Sequence, residues 1–116
     1  MSVTIHNLKE EYRRLAQAHG RATLSGDYEA ANRNHDELVA LVPMIRAFGD
    51  TGKAALLELV EDADEAVVCW SATHALAFDE TRALAALEPL AKKQGPMGFN
   101  AKMVIRQWKK GELVLP

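Results

Sequence analysis

The 116-residue chain has a single cysteine, Cys69, so no internal disulfide can staple its fold. Long apolar runs are missing as well. None exceeds the one from Leu38 to Val42, far short of the roughly 20 residues that carry a helix across a bilayer. The opening stretch MSVTIHNLKEEY lacks the apolar h-region of a secretory signal. These absences set the expectation of a cytoplasmic protein that uses no membrane and is held by an apolar core. Chemical signatures are also missing. There is no P-loop, dinucleotide fingerprint, Cys-x-x-Cys pair or Ser/His/Asp order. The glycines fall at turns rather than in a phosphate-cradling run. The expectation is a protein that is not an enzyme and needs no cofactor.

Charge of one sign is absent from the middle of the chain. Residues 54–81 hold 7 acidic side chains and no basic ones, residues 82–116 hold 7 basic and 2 acidic, and residues 1–53 are balanced at 7 of each. The formal net charge of −2 therefore hides a polarised chain. Such fields bear on association rate and partner choice more than on fold.

What is present favours helices. Apolar residues make up 48% of the chain, with alanine and leucine prominent. A chain of this length is expected to form one domain, residues 1–116, burying roughly 65% of its unfolded surface. Leu8, Tyr12, Leu15 and His19 share one face of a first helix, from about Ile5 to Leu24. After the Ser25-Gly26 turn, Asp27 can cap a second helix with Tyr28, Ala31, His35, Leu38, Val39 and Val42 along its stripe. Pro43 is expected to kink that helix or restart it. Gly49 ends it, and Asp50-Thr51-Gly52 reads as the connection. Further on, Asp79 caps a helix reaching about Gln94, with Leu84, Leu87, Leu90 and Ala91 as its face. Gly95-Pro96-Met97-Gly98 reads as a loop. Asn100 then caps a last helix carrying Ala101, Val104, Ile105 and Trp108, and Gly111 stops it.

The centre, Ala54 to Phe78, reads as two short helices joined by an acidic turn. Leu56, Leu57, Leu59 and Val60 suit a helix covered on most sides. Asp62 and Asp64 are N-cap candidates for the next helix, with Glu65 in its first turn. Val68, Ala72, Ala75 and Leu76 then share one face. This pair resembles a HEAT-like repeat in Leu56, Leu57, Asp62, Asp64, Val67, Ala72, Ala75 and Leu76. It departs at Val68, where such repeats usually carry an arginine that pairs with a neighbouring acidic turn. Trp70 to Leu76, Gly98 to Met103 and Arg106 to Leu113 are similar to a small bacterial family of HEAT-like proteins, catalogued as a domain of unknown function. The resemblance implies an all-α, armadillo-type right-handed α-α superhelix of about six helices in three pairs. It implies no activity.

Several residues are candidates for function. His19 and His35 fall at similar heights if the first two helices form a hairpin, but zinc wants at least three protein ligands, and no third stands at metal-binding spacing. Neither helix carries a Glu-x-x-His or His-x-x-x-His pair, and the alternative is a pair of half-buried histidines bonded to Asn32, a tyrosine hydroxyl or a backbone carbonyl. Cys69 has no base at helical spacing, so it reads as inert. Trp70, Thr73, His74 and Ala77 form a stripe that either lies open on a concave surface as a binding hot spot or is covered by the second or the last helix. Glu58, Glu61, Asp62, Asp64 and Glu65 lack the order of a calcium loop; they read as a solvated turn or as a face for a basic partner. Lys102, Arg106, Lys109 and Lys110, with Lys92 and Lys93 nearby, form a basic face able to meet phosphates, or one that merely suits a helix C-terminus.

The expected function is that of a protein–protein interaction module. Its partner-binding residues are Trp70, His74, Glu61, Asp62, Asp64 and Glu65, and the acidic ones steer a basic partner. One version is an immunity-type protein that neutralises a toxin, by analogy of fold alone. The alternative is a nucleic-acid binder working through Lys102, Arg106, Lys109 and Lys110. A homo-oligomer is compatible with both.

Overall fold

The computed structural model describes residues 3–116; Met1 and Ser2, the start of the stretch without an h-region, lie outside. The described residues form six helices and no strand: α1 (Ile5–Ser25), α2 (Tyr28–Arg46), α3 (Asp50–Leu59), α4 (Glu65–Ala75), α5 (Glu80–Ala91) and α6 (Pro96–Lys109). The fold is all-α, as expected.

Four helix starts are fixed by a side-chain oxygen that accepts an otherwise unpaired backbone N–H. Thr4 caps α1, Asp27 caps α2, Asp64 caps α4 and Asp79 caps α5. Asp62 does not cap; its carboxylate accepts the N–H of Asp64 at 2.8 Å and braces the turn. Helices α3 and α6 have no side-chain cap and start differently. Each follows a glycine in the left-handed region, Gly49 (φ 64) or Gly95 (φ 87), with a second glycine three residues on. A β-carbon on Gly52 would lie 1.9 Å from the carbonyl oxygen of Ile45, and one on Gly98 would lie 1.7 Å from that of Lys93. The first turn of each helix is thus pressed against the end of the helix before it, which only glycine allows.

This device corrects three expectations. Asp50-Thr51-Gly52 is the first turn of α3, not a connection. Gly95-Pro96-Met97-Gly98 is the start of α6, with Pro96 in the first turn where its missing N–H costs nothing. Asn100 therefore lies inside α6 and caps nothing. Two further helices end two or three residues early. Helix α2 runs on through Pro43 to Arg46, and α5 ends at Ala91 before reaching Gln94.

Helix α4 lies at the centre. It packs against α1, α3, α5 and α6, and eight of its residues are buried, as suits a helix apolar on most sides. It joins two cores. Val67 belongs to the first, with Leu8, Tyr12, Leu15 and Ala16 of α1, Leu38, Val42 and Ile45 of α2, and Leu56 and Leu59 of α3. Cys69, Ala72 and Ala75 belong to the second, with Ala83, Leu87 and Leu90 of α5 and Ala101 of α6. Beyond α6, Leu113 and Leu115 pack on the second core, and Arg46 donates to the Pro116 carbonyl at 2.8 Å. The α1–α2 hairpin does not merely cover one end of the assembly. Helix α1 also packs across α3 and α4 and touches α6.

Gly52→Ala should lower the unfolding free energy by about 2–3 kcal/mol, although alanine is the better helix former by about 1 kcal/mol. Ala85→Gly, exposed in α5, should cost only about 1 kcal/mol. Urea unfolding of both variants checks the pair; a neutral Gly52→Ala would mean that α3 does not meet α2 as described.

Candidate functional site

Helix α1 crosses α4 on a stripe of residues spaced by four: Tyr12, Ala16 and Gly20. The approach is close, since a β-carbon on Gly20 would lie 2.7 Å from that of Ala66. Tyr12 is wholly buried, and its hydroxyl meets His74 Nδ1 at 2.6 Å. Burial drives the Tyr12 pKa well up and the His74 pKa down to about 4. The phenol is therefore protonated and the imidazole neutral at pH 7, and since the buried hydroxyl has no other acceptor among the described residues, the phenol donates to Nδ1. His74 is only 5% exposed. It cannot touch a partner directly: Tyr12 of α1 packs on it, and His35 and Arg46 of α2 stand near enough to lower its pKa.

Trp70 lies one turn earlier on α4 and is half-buried. Three histidines surround it. His74 is tilted against it at 5.7 Å, His19 of α1 stands edge-on at 5.1 Å, and His35 of α2 lies at 5.7 Å. The indole N–H points to His19 Nδ1 at 3.4 Å, a long hydrogen bond. Burial, then the neighbouring His35, lowers the His19 pKa. His35 is exposed and bonds Asp36 at 3.2 Å. The tyrosine hydroxyl expected near His19 or His35 thus belongs to His74, and the two histidines instead hold Trp70. Among the described residues no three His, Cys, Asp or Glu side chains converge as metal ligands.

Above Trp70 opens a groove of about 710 Å³. Helix α1 supplies one wall with Gln17, Gly20, Arg21 and Leu24. Helix α6 supplies the other with Met97, Asn100, Met103, Val104 and Gln107, residues that fall on one helical face. Cys69, Trp70 and Thr73 of α4 form the floor. No polar group on the floor is free for chemistry. The Thr73 hydroxyl donates to the Cys69 carbonyl at 2.7 Å. Burial pushes the Cys69 thiol up to about 11, so it stays protonated. The α6 wall was not read from sequence. Its signal was the spacing of Met97, Asn100, Val104 and Gln107, one face over from the core stripe of Ala101, Ile105 and Trp108.

The acidic turn lies beside the groove and is matched by cations from elsewhere in the fold. Lys9 pairs with Glu58, Arg13 with Asp62, Arg82 with Glu61 and Lys93 with Glu65. Asp64 accepts the N–H groups of Ala66 and Val67. The turn thus takes its cations from α1, from α5 and from just beyond it. On α6 the pattern is reversed. Lys102, Arg106, Lys109 and Lys110 are all exposed, and none enters an ion pair among the described residues.

The buried His74 and the half-buried His19 are both depressed, so the unfolded chain takes up their protons first as pH falls. The stability they allow is complete above the unfolded value of about 6.5 and is lost as pH falls towards the folded value. For His74 that loss should reach about 2 kcal/mol between pH 7 and pH 5, above the range where carboxylates titrate. His74→Gln, which keeps an acceptor for Tyr12, should remove most of this slope in urea titrations. Tyr12→Phe leaves a buried nitrogen unpaired and should cost about 1–3 kcal/mol at pH 7.

No protein-family model matches the chain, and no curated protein matches it. Among solved structures, its fold is similar to the crystal structure of the protein RPA1889 from Rhodopseudomonas palustris CGA009. The TM-score is 0.88 at 21% identity, over 99% of this chain and 96% of that one. At that identity the likeness shows the fold alone.

Proposed function

We propose that the chain is a non-catalytic, HEAT-like interaction module of the cytoplasm that binds a segment of another protein in the groove floored by Trp70. The observation that carries this reading is the groove itself. Its volume of about 710 Å³ lies in the range of ligand sites. Its floor offers a half-buried tryptophan, the residue type that most often anchors an interface. Its α6 wall offers Met97 and Met103, flexible side chains that mould to an apolar guest. A neutralised toxin in the immunity-type manner is one version of such a partner. His74 then acts from beneath by holding Trp70, and the acidic turn acts mainly within the fold. Self-association through the same groove is a related outcome.

A second reading has its own observation. The four cations of α6 and its C-terminal cap, which enter no ion pair among the described residues, suit a phosphate backbone, and a nucleic-acid binder would use that face.

Photo-crosslinking in the native cell separates the two. A photoreactive phenylalanine analogue at Leu24 or Gln107, on the groove, should give one protein adduct, and the same group at the exposed Glu88 of α5 should give none. The adduct should vanish with Trp70→Ala. Adducts that disappear on nuclease treatment would transfer the reading to nucleic acid, and equal labelling from Glu88 would overturn the groove as the binding surface.

A further inference from the structure

Resting on that groove reading, we infer that the occupant is an acidic peptide segment, in which an apolar side chain sits on Trp70 and carboxylates lie on both rims. Four charged residues line the groove: Arg21, Asp64, Glu65 and Lys93. Three of them are already committed, Asp64 to the start of α4 and Glu65 to Lys93. Arg21 is exposed and enters no ion pair among the described residues. It stands on the α1 wall, close to Leu24, which is 76% exposed.

The opposite rim carries the same sign. Met103 and Gln107 of α6 line the groove. Arg106 and Lys110 follow them by three residues each, which makes them surface neighbours on the helix. Both are exposed and unpaired among the described residues. An apolar channel therefore runs between two basic rims, and its own carboxylates are engaged within the fold, Glu65 by Lys93 and Asp64 by the backbone N–H groups at the start of α4. Rim charges of this kind select partners and set association rates. The expectation of a basic partner drawn by the acidic turn is inverted.

A peptide suits this channel better than a nucleic acid. Single-strand binders stack successive bases on several aromatic side chains along a basic track. Here Trp70 is the one Phe, Trp or Tyr among the groove-lining residues, and it lies on the floor behind Leu24, Met97, Met103 and Val104. Aliphatic walls around one aromatic ring fit a leucine or phenylalanine side chain.

Two synthetic 12-residue peptides test this, each with a central Leu-Leu-Phe, one otherwise of glutamate and the other of lysine. Binding is read from the indole N–H resonance of Trp70, distinguished from that of Trp108 with Trp108→Phe. The glutamate peptide should shift the Trp70 resonance and bind at least tenfold tighter than the lysine peptide. The Arg21→Glu/Arg106→Glu variant, altered only at exposed unpaired positions, should reverse that preference. If the lysine peptide shifts Trp70 as well or better, the acidic occupant is wrong and the groove reading stands. If neither peptide moves Trp70, both fail. If a thymidine oligonucleotide moves Trp70 and outcompetes the glutamate peptide, the occupant is a nucleic acid and the inference is overturned.

Discussion

The close crossing of α1 over α4 is the contact on which the rest of the molecule depends. It needs three things from α1 at one-turn intervals: a large side chain with a polar tip, then two positions with little or no side chain. Tyr12, Ala16 and Gly20 supply them. Gly20 lets the backbone come within reach of Ala66, and Tyr12 closes the other end on His74. The crossing completes the first core by bringing Leu8 and Leu15 to Leu56, Leu59 and Val67. It also places His19 against the edge of Trp70 and sets the C-terminal half of α1 opposite α6 as a groove wall. Core and candidate site therefore share one cause. Every buried side-chain polar atom among the described residues has a partner, so the crossing is made without an unpaired group.

The same geometry redistributes the charge. In the sequence the acidic block of residues 54–81 has no basic residue of its own. In the fold, α1 brings Lys9 and Arg13 to it, and the second half of the chain brings Arg82 and Lys93. The block becomes a junction where three parts of the chain are tied together. Such exposed pairs add little stability singly, but they offset four of the seven acidic charges of the block. Around the groove, Arg21, Arg106 and Lys110 are left without an ion pair among the described residues. A linear charge profile cannot show this, because it cannot say which charges are cancelled by others distant in the chain.

Much of the architecture was legible. The stripes of Leu8/Tyr12/Leu15 and Ala72/Ala75/Leu76 and the caps at Asp27, Asp64 and Asp79 are local features, and local physics sets them. The misread starts of α3 and α6 have one origin. Gly49-x-x-Gly52 and Gly95-x-x-Gly98 look like loop composition, yet the second glycine of each allows a helical turn to press on the preceding helix end. That is a tertiary reason, invisible in propensity. The site was half legible. Trp70 stood out as a large aromatic on a stripe offset from the core, and it does lie on the groove floor. His74 stood on the same stripe but is buried, because the stripe runs from the groove beneath α1. Nothing local to α4 distinguishes its covered end from its open one.

A double-mutant cycle between Gly20 and Ala66 tests the crossing most directly. Gly20→Ala places a methyl group where Ala66 already has one, and Ala66→Gly removes the obstruction. The account predicts that Gly20→Ala destabilises the wild-type background and is tolerated when residue 66 is glycine, with a coupling of about 1 kcal/mol or more in urea unfolding. Strictly additive effects would mean that α1 does not lie on α4 at this contact, and the groove wall it forms would go with it.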